Sequence, residues 1–378
     1  MRAPPPCCSA PGPGTPRPRT PLRPPQAIRL RNEVARDEHF RHVVRRSSVV
    51  ATPELGHSVH TETFDLARYR LQHALYKTEA PLQAAHAAHP WIHTFDDHEV
   101  ENNWAGDLSQ ADTEPDQDPA VFRARRAQAF QALYEHMPLR HAQMPAGPDI
   151  RYHRRLPYGR LADFTLLDTR QYRTDQPCGD GDSSTCDDRF NPDNTMVGGK
   201  QRAWLLDGFR QSHARWQVIG NQTPMGQTDW TPGPETHVWL DPWDGYVAER
   251  NKVLAAAQDS GVRTLVVITG DRHQNHALEL KRDFADPDSA TVGTEFVGTS
   301  ITSGGDGSDT TDQGQQFLAA SPYLKFFNSQ RGYVRVTVDR KQWRSDFRVV
   351  PFVQTQGAPI STRATYVVED RNPHVHAS

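Results

Sequence analysis

Four polar clusters in this chain have the composition of metal or phosphate chemistry. They are Asp96-Asp97-His98-Glu99, Asp168-Thr169-Arg170, Gly220-Asn221-Gln222 and Gly270-Asp271-Arg272-His273. Carboxylate and amide oxygens are hard ligands and imidazole is borderline, a mixture that suits calcium, manganese, iron or zinc. Asp271 and His273 stand one residue apart. In an extended segment, positions i and i+2 point the same way, so both can face one ion. Taken alone, the same Asp-x-His pair fits a surface turn equally well. The chain has 18 histidines, so spacing rather than number must choose among them.

The elements around these clusters supply the choice. Each cluster follows a short apolar run: Trp91-Ile92-His93-Thr94-Phe95, residues 161–167, Trp216-Gln217-Val218-Ile219, and Leu265-Val266-Val267-Ile268-Thr269. Such runs read as buried strands, and in α/β folds ligands gather at the carboxyl ends of strands. Gly220 and Gly270 let the backbone turn just before the ligand position. Helical spacing joins Leu66, Tyr69, Leu75 and Tyr76, and a second helix opens at Pro81 and stops at Pro90. A third is predicted over residues 119–136, with Phe122, Phe130, Leu133, Tyr134 and Met137 near one stripe. Two more surround Trp204, Leu205 and Phe209, and Val247, Val253 and Leu254, and β-rich runs at 333–338 and 347–353 close the pattern. Alternating helices and buried strands predict an α/β fold with helices outside a sheet.

Composition bounds the rest. The 378 residues are 36% hydrophobic and 24% charged with a formal net charge of -3, which gives no global attraction to nucleic acid or acidic membranes. No apolar run approaches bilayer length, and the start Met1-Arg2-Ala3-Pro4-Pro5-Pro6 has no apolar core of a secretory signal. Residues 1–63 read as a disordered Pro/Arg-rich tail and linker ahead of one domain over 64–378, because so few large apolar residues cannot offset the entropy of ordering. Of four cysteines, Cys178 and Cys186 bracket the polar loop Gly179-Asp180-Gly181-Asp182-Ser183-Ser184-Thr185. They are expected to pair, implying an oxidising compartment, against the alternative of two free surface thiols.

The segment from Trp91 to Asn103, Trp-Ile-His-Thr-Phe-Asp-Asp-His-Glu-Val-Glu-Asn-Asn, resembles the signature of the PhoD-like phosphatases among the calcineurin-like metallophosphoesterases. The resemblance continues through residues 163–173, 199–221, 266–273 and 326–333, in family order over roughly residues 64 to 370. It implies a four-layer αββα sandwich with metal ions where the loops of the sheets meet, most directly Ca2+ and Fe3+, with Mn2+ or Zn2+ as alternatives. By motif, Asp97 corresponds to a bridging metal ligand, His98 to the acid near the leaving group, Asn221 to a ligand, and Asp271 with His273 to the last ligand pair. Arg170 is either a phosphate contact or the partner of a loop carboxylate, since a guanidinium fork fits both. The implied function is metal-dependent hydrolysis of phosphate monoesters, diesters or both, by a monomer located extracellularly or in the cell envelope. A phosphate ester is the expected partner, with no specific nucleic-acid binding and no membrane span.

The chain departs from the family pattern ahead of Phe64. The resemblance implies an N-terminal β-sandwich, a strand ending in a metal-binding Asp or Cys, and a Gly-Asp-x-x-Tyr block, none of which occurs there. His57, His60 and Glu62 are ligand types, yet no buried strand delivers them. The expectation is a first metal short of ligands and weak turnover. The alternative is a non-catalytic relative that keeps only metal or phosphate binding.

Overall fold

The structure, a computed structural model, describes residues 62–286 and 288–378 together with the backbone of the strand Ile28–Arg31. In chain order the strands are β1 (Ile28–Arg31), β2 (Arg154–Tyr158), β3 (Ala162–Leu166), β4 (Asp182–Ser183), β5 (Trp216–Gly220), β6 (Val238–Trp239) and β7 (Leu265–Thr269). Then come β8 (Asn275–Lys281), β9 (Thr291–Val297), β10 (Leu324–Asn328), β11 (Arg331–Val338), β12 (Gln342–Val350), β13 (Ser361–Glu369) and β14 (Val375–Ala377). One mixed sheet has the order β10-β8-β9-β7-β5-β3-β2, and a second runs β1-β11-β12-β13-β14, while β4 and β6 form a small ribbon. Within the large sheet β3, β5, β7 and β9 are mutually parallel. Their carboxyl ends therefore open on one edge, and every residue of β3 and β5 is buried, as parallel strands covered on both faces must be.

The apolar clusters define the packing. Helices Gly198–Gln211 and Val247–Asp259 lay Leu205, Phe209, Val253, Leu254 and Ala257 against Ile219, Leu265 and Val267 of the large sheet. On its other face Phe164, Trp216, Val218, Val266 and Phe296 meet Val334, Val336, Trp343, Phe347 and Val368 of the second sheet. The predicted α/β class is what the structure has. A third cluster is separate: helices Leu66–Lys77 and Pro119–His136 enclose Tyr69, Phe95, Trp104, Phe122, Phe130 and Tyr152. Local signals start both helices. The side chain of Asp65 accepts from Arg68 N (2.9 Å), and that of Asp118 accepts from Ala120 N (2.7 Å) ahead of Pro119.

Two expectations fail here. Trp91–Phe95 belongs to no strand among the described residues, so Asp97 lies in a loop rather than at a strand end. Its aromatic ring explains the difference: Phe95 is buried in the helical cluster, 4.6 Å from the Tyr152 ring and 5.3 Å from that of Phe130. The second concerns the region before Phe64, where no element was expected and where β1 pairs antiparallel with β11. Glu62, one of the ligand types ahead of Phe64, is instead paired with Arg125, and the rest of the predicted tail up to residue 61, with His57 and His60, falls outside the described residues.

Candidate functional site

The loop after Phe95 is wound around Asp97. Its carbonyl accepts from Val100 N and Glu101 N (both 2.8 Å), Oδ1 accepts from His98 N (2.8 Å), and Oδ2 accepts from Asn103 N (3.1 Å). Asn103 takes a left-handed φ of 49° to make that turn, and its amide donates to Asp180 (2.8 and 2.9 Å). His98 stands on the rim with its side chain 71% exposed and Nε2 3.9 Å from Asp97 Oδ2.

The turn after β7 is tighter than an extended Asp-x-His. Asp271 (φ 69°) and His273 (φ 54°) are both left-handed, and Arg272 N donates to the Gly270 carbonyl (2.8 Å). Each such residue costs on the order of 1–3 kcal/mol and persists only where its surroundings impose it. Arg331 supplies part of that constraint by donating from Nη1 to the His273 carbonyl (2.6 Å). The expected extended geometry was therefore wrong, yet Asp271 and His273 still face one space. Asp97, His98, Asp271 and His273 line one cavity of about 590 Å3, with Asp96, Glu99, Trp230, Trp239 and Arg272.

Arg170 does not line it. The side chain is fully buried, with Nη1 and Nη2 donating to the two carboxylate oxygens of Asp241 (2.9 and 3.0 Å) and Nε donating to Asp96 (2.7 Å). Arg173 and Gln176 also donate to Asp241 Oδ1. Of the two roles weighed from sequence, the geometry gives Arg170 the carboxylate partner. Asn221 is likewise turned inward, donating to the Thr223 carbonyl and accepting from Trp243 Nε1 (3.4 Å), and it is absent from the cavity wall. Its backbone still joins the site's floor: Asn221 N donates to Ile268 O (3.0 Å) and Gly270 N to Gln222 O (3.2 Å).

Electrostatics mark the cavity as crowded with carboxylates. Burial, then the charges of Asp96, Asp241 and Asp97, push Asp271 well above the carboxylate range. Burial pushes Asp96 up to about 7, with Arg170 opposing and Asp97 adding. Burial also disfavours charge on Asp241, but Arg170 and Arg173 outweigh it and hold its carboxyl below the usual range. Oδ2 of Asp271 is buried without a hydrogen-bond partner among the described residues. An orphan carboxylate oxygen beside two further carboxylates fits a hard cation. Among the described residues no three His, Cys, Asp or Glu side chains stand close enough together to hold an ion by themselves.

Cys178 and Cys186 form a disulfide. Its loop carries Asp182, which pairs across the β4–β6 ribbon with Trp239 and places both in the cavity wall. Sequence reading missed Asp241, Arg272 and Trp239. Asp241 has no flanking periodic run to flag it, and Arg272 was hidden between two stronger ligand types.

A mixed α/β fold with an acidic cleft beside the carboxyl ends of parallel strands is the layout in which such folds gather ligands, and the chemistry is read from the site. Residues 37–347 match the family model for PhoD-like phosphatase, and the chain belongs to that family. The match begins at residue 37, ahead of the boundary near Phe64 expected from sequence. The chain is 45% identical over 308 residues to alkaline phosphatase D of Bacillus subtilis (strain 168), covering 82% of this chain and 52% of that protein. It thus spans about half the length of that curated relative. A solved structure of PhoD superposes with a TM-score of 0.82 at 38% identity, covering 92% of this chain and 69% of the other. Among the described residues no helix is long and apolar enough to cross a membrane.

Proposed function

We propose that this chain hydrolyses phosphate esters with the help of bound metal ions, Ca2+ and Fe3+ being the first candidates. The observation that carries the reading is the buried, unpartnered Oδ2 of Asp271 facing a cavity shared with Asp97, His98 and His273. Asp271 and His273 would supply ligands from one side of the cleft and Asp97 from the other, with Asn221 supporting the turn from behind; because no three of these side chains converge on one point among the described residues, water and phosphate oxygens would complete each shell. The ions, when bound, supply Lewis-acid polarisation of the phosphoryl group and a water made acidic enough to ionise near neutral pH.

The chain's own groups have distinct tasks. His98, exposed on the rim next to the Asp97 carboxylate, would give a proton to the departing alkoxide. The Arg170–Asp241 pair acts behind the wall, fixing the Asp96–Asp97 loop against β3 rather than touching substrate. Both phosphomonoesters and phosphodiesters remain candidate substrates, and the disulfide favours an oxidising, extracellular or cell-envelope location.

The test pairs metal analysis with turnover. Wild type and Asp271→Ala are loaded with calcium, iron or manganese, analysed for metal, and assayed on para-nitrophenyl phosphate and its bis ester. Losing a charged ligand should sharply lower bound metal and turnover together. Equal metal in the two proteins would defeat the ligand assignment. Metal and phosphate binding without turnover in wild type would instead favour a non-catalytic binding role.

A further inference from the structure

We propose that Arg272 is the phosphate-gripping arginine of this cleft, carried on the indole of Trp239 in the cavity wall. The proposal rests on reading the cleft as a phosphoester site. Arg272 lines the same space as Asp97, His98, Asp271 and His273. Its guanidinium carbon lies 4.7 Å from the Trp239 ring centroid and 6.0 Å from that of Phe317. Among the described residues its side chain makes no hydrogen bond and no ion pair; beside these ring contacts it feels the charges of Asp271, Asp244 and Asp241 without being bonded to them.

That freedom sets it apart from its neighbours. Arg170 is committed to Asp241 and Asp96, Arg173 to Asp241, and Arg331 to the His273 and Ser329 carbonyls. A guanidinium stacked on an aromatic face keeps its in-plane donors available, and those donors match phosphoryl oxygens two at a time. The remaining wall bears Asp96, Asp97 and Asp271, which repel an anion. Bound metal ions would offset part of that repulsion, and among the described residues of the wall Arg272 is the arginine with no hydrogen bond or ion pair to another protein group, left to grip the phosphoryl oxygens the ions do not hold. The aromatic support is itself fixed, because Trp239 pairs with Asp182 inside the disulfide-closed loop.

The experiment uses the full, metal-loaded chain and inorganic phosphate as the probe. Calorimetric titration is run on wild type, Arg272→Met and Arg272→Lys, with metal content and thermal midpoint measured on each. Arg272→Met keeps the length and packing against Trp239 but removes the fork. Its phosphate Kd should rise about 10- to 100-fold, the range expected for one charge-assisted contact. Arg272→Lys should fall between, and metal content should not change. In turnover, KM for the ester should rise more than kcat falls, a split that a purely structural role would not produce. Phosphate affinity equal in wild type and both variants would overturn the assignment while leaving the phosphoesterase reading in place. A wild type that neither binds phosphate nor cleaves esters would overturn both.

Discussion

Replacing Asp241 by Asn tests the brace behind the cleft. The side chain is fully buried and accepts from four donors: Nη1 and Nη2 of Arg170, Nη2 of Arg173 and Nε2 of Gln176. Asn keeps the shape but removes the charge and turns an amide NH2 toward guanidinium donors. Arg170 would retain Asp96 at 2.7 Å, whereas Arg173 would be left with only the residue 241 carbonyl at 3.3 Å. Breaking a buried pair by removing one partner costs about 3–5 kcal/mol, because the surviving charge is uncompensated. Unfolding entropy near 2.1 cal/mol/K per residue gives roughly 0.8 kcal/mol/K for a chain of this length, so about 4 kcal/mol becomes a drop of ~5 °C. Differential scanning calorimetry on wild type and Asp241→Asn reads this directly. A midpoint within about 1 °C of wild type would show that the pair's desolvation cancels its attraction, and the brace argument would fail.

Further outcomes follow from other sites. His98→Ala should retain bound metal while slowing esters with poor leaving groups most, measured as a steeper dependence of kcat on leaving-group pKa; a uniform loss across leaving groups would remove the general-acid role. Reducing the Cys178–Cys186 bond, or Cys178→Ser, should destabilise by about 2–3 kcal/mol for so short a loop, read as a lower denaturation midpoint under reducing conditions. His276 is fully buried among Phe317 and Phe327, and burial, then Arg272, push its pKa down to about 3 from 6.5. The unfolded chain takes up that proton first, so this residue's contribution is intact above pH 6.5. It is lost progressively as pH falls toward 3, by about 1.4 kcal/mol per unit. His276→Phe should flatten that slope in pH-dependent unfolding.

The parts legible in the sequence were those with one strong local cause. β3, β5 and β7 are short apolar runs that end in polar clusters, and burial on both faces makes such runs conspicuous. Trp91–Phe95 had the same look and a different fate, because five residues cannot reveal whether a ring packs on a sheet or among helices. Strands β8, β9 and β10 were missed because they bury Asn275, His276, Glu295 and Asn328, which read as surface residues. Those groups find long-range partners, as where Asn275 Nδ2 donates to Asn328 Oδ1 (3.0 Å) and Glu295 accepts from Met225 N (2.9 Å). The Asp271-x-His273 pairing was right about shared space and wrong about backbone, since left-handed φ at both positions carries no sequence signature in non-glycine residues. The choice for Arg170 depended on Asp241, which is 71 positions away and invisible to spacing.

The separate aromatic cluster of the helical part has a mechanical corollary. Its apolar residues are shared with neither sheet cluster, and a row of polar contacts joins it to the sheets. Arg154 donates to the His93 carbonyl, Gly106 N to the Arg170 carbonyl (2.9 Å), Gln176 to the Asn103 carbonyl (2.6 Å), and Gln171 and Ile150 exchange two bonds (2.8 and 3.0 Å). The cleft is thus a seam between two greasy bodies stitched by hydrogen bonds, with Asp97 and His98 on one side and Asp271 and His273 on the other. Stitches of this kind open before cores do, so amides along the seam should exchange with solvent ahead of those inside either body. A cation that bridges Asp97 to Asp271 acts as a rivet across that seam and slows the exchange on both sides at once.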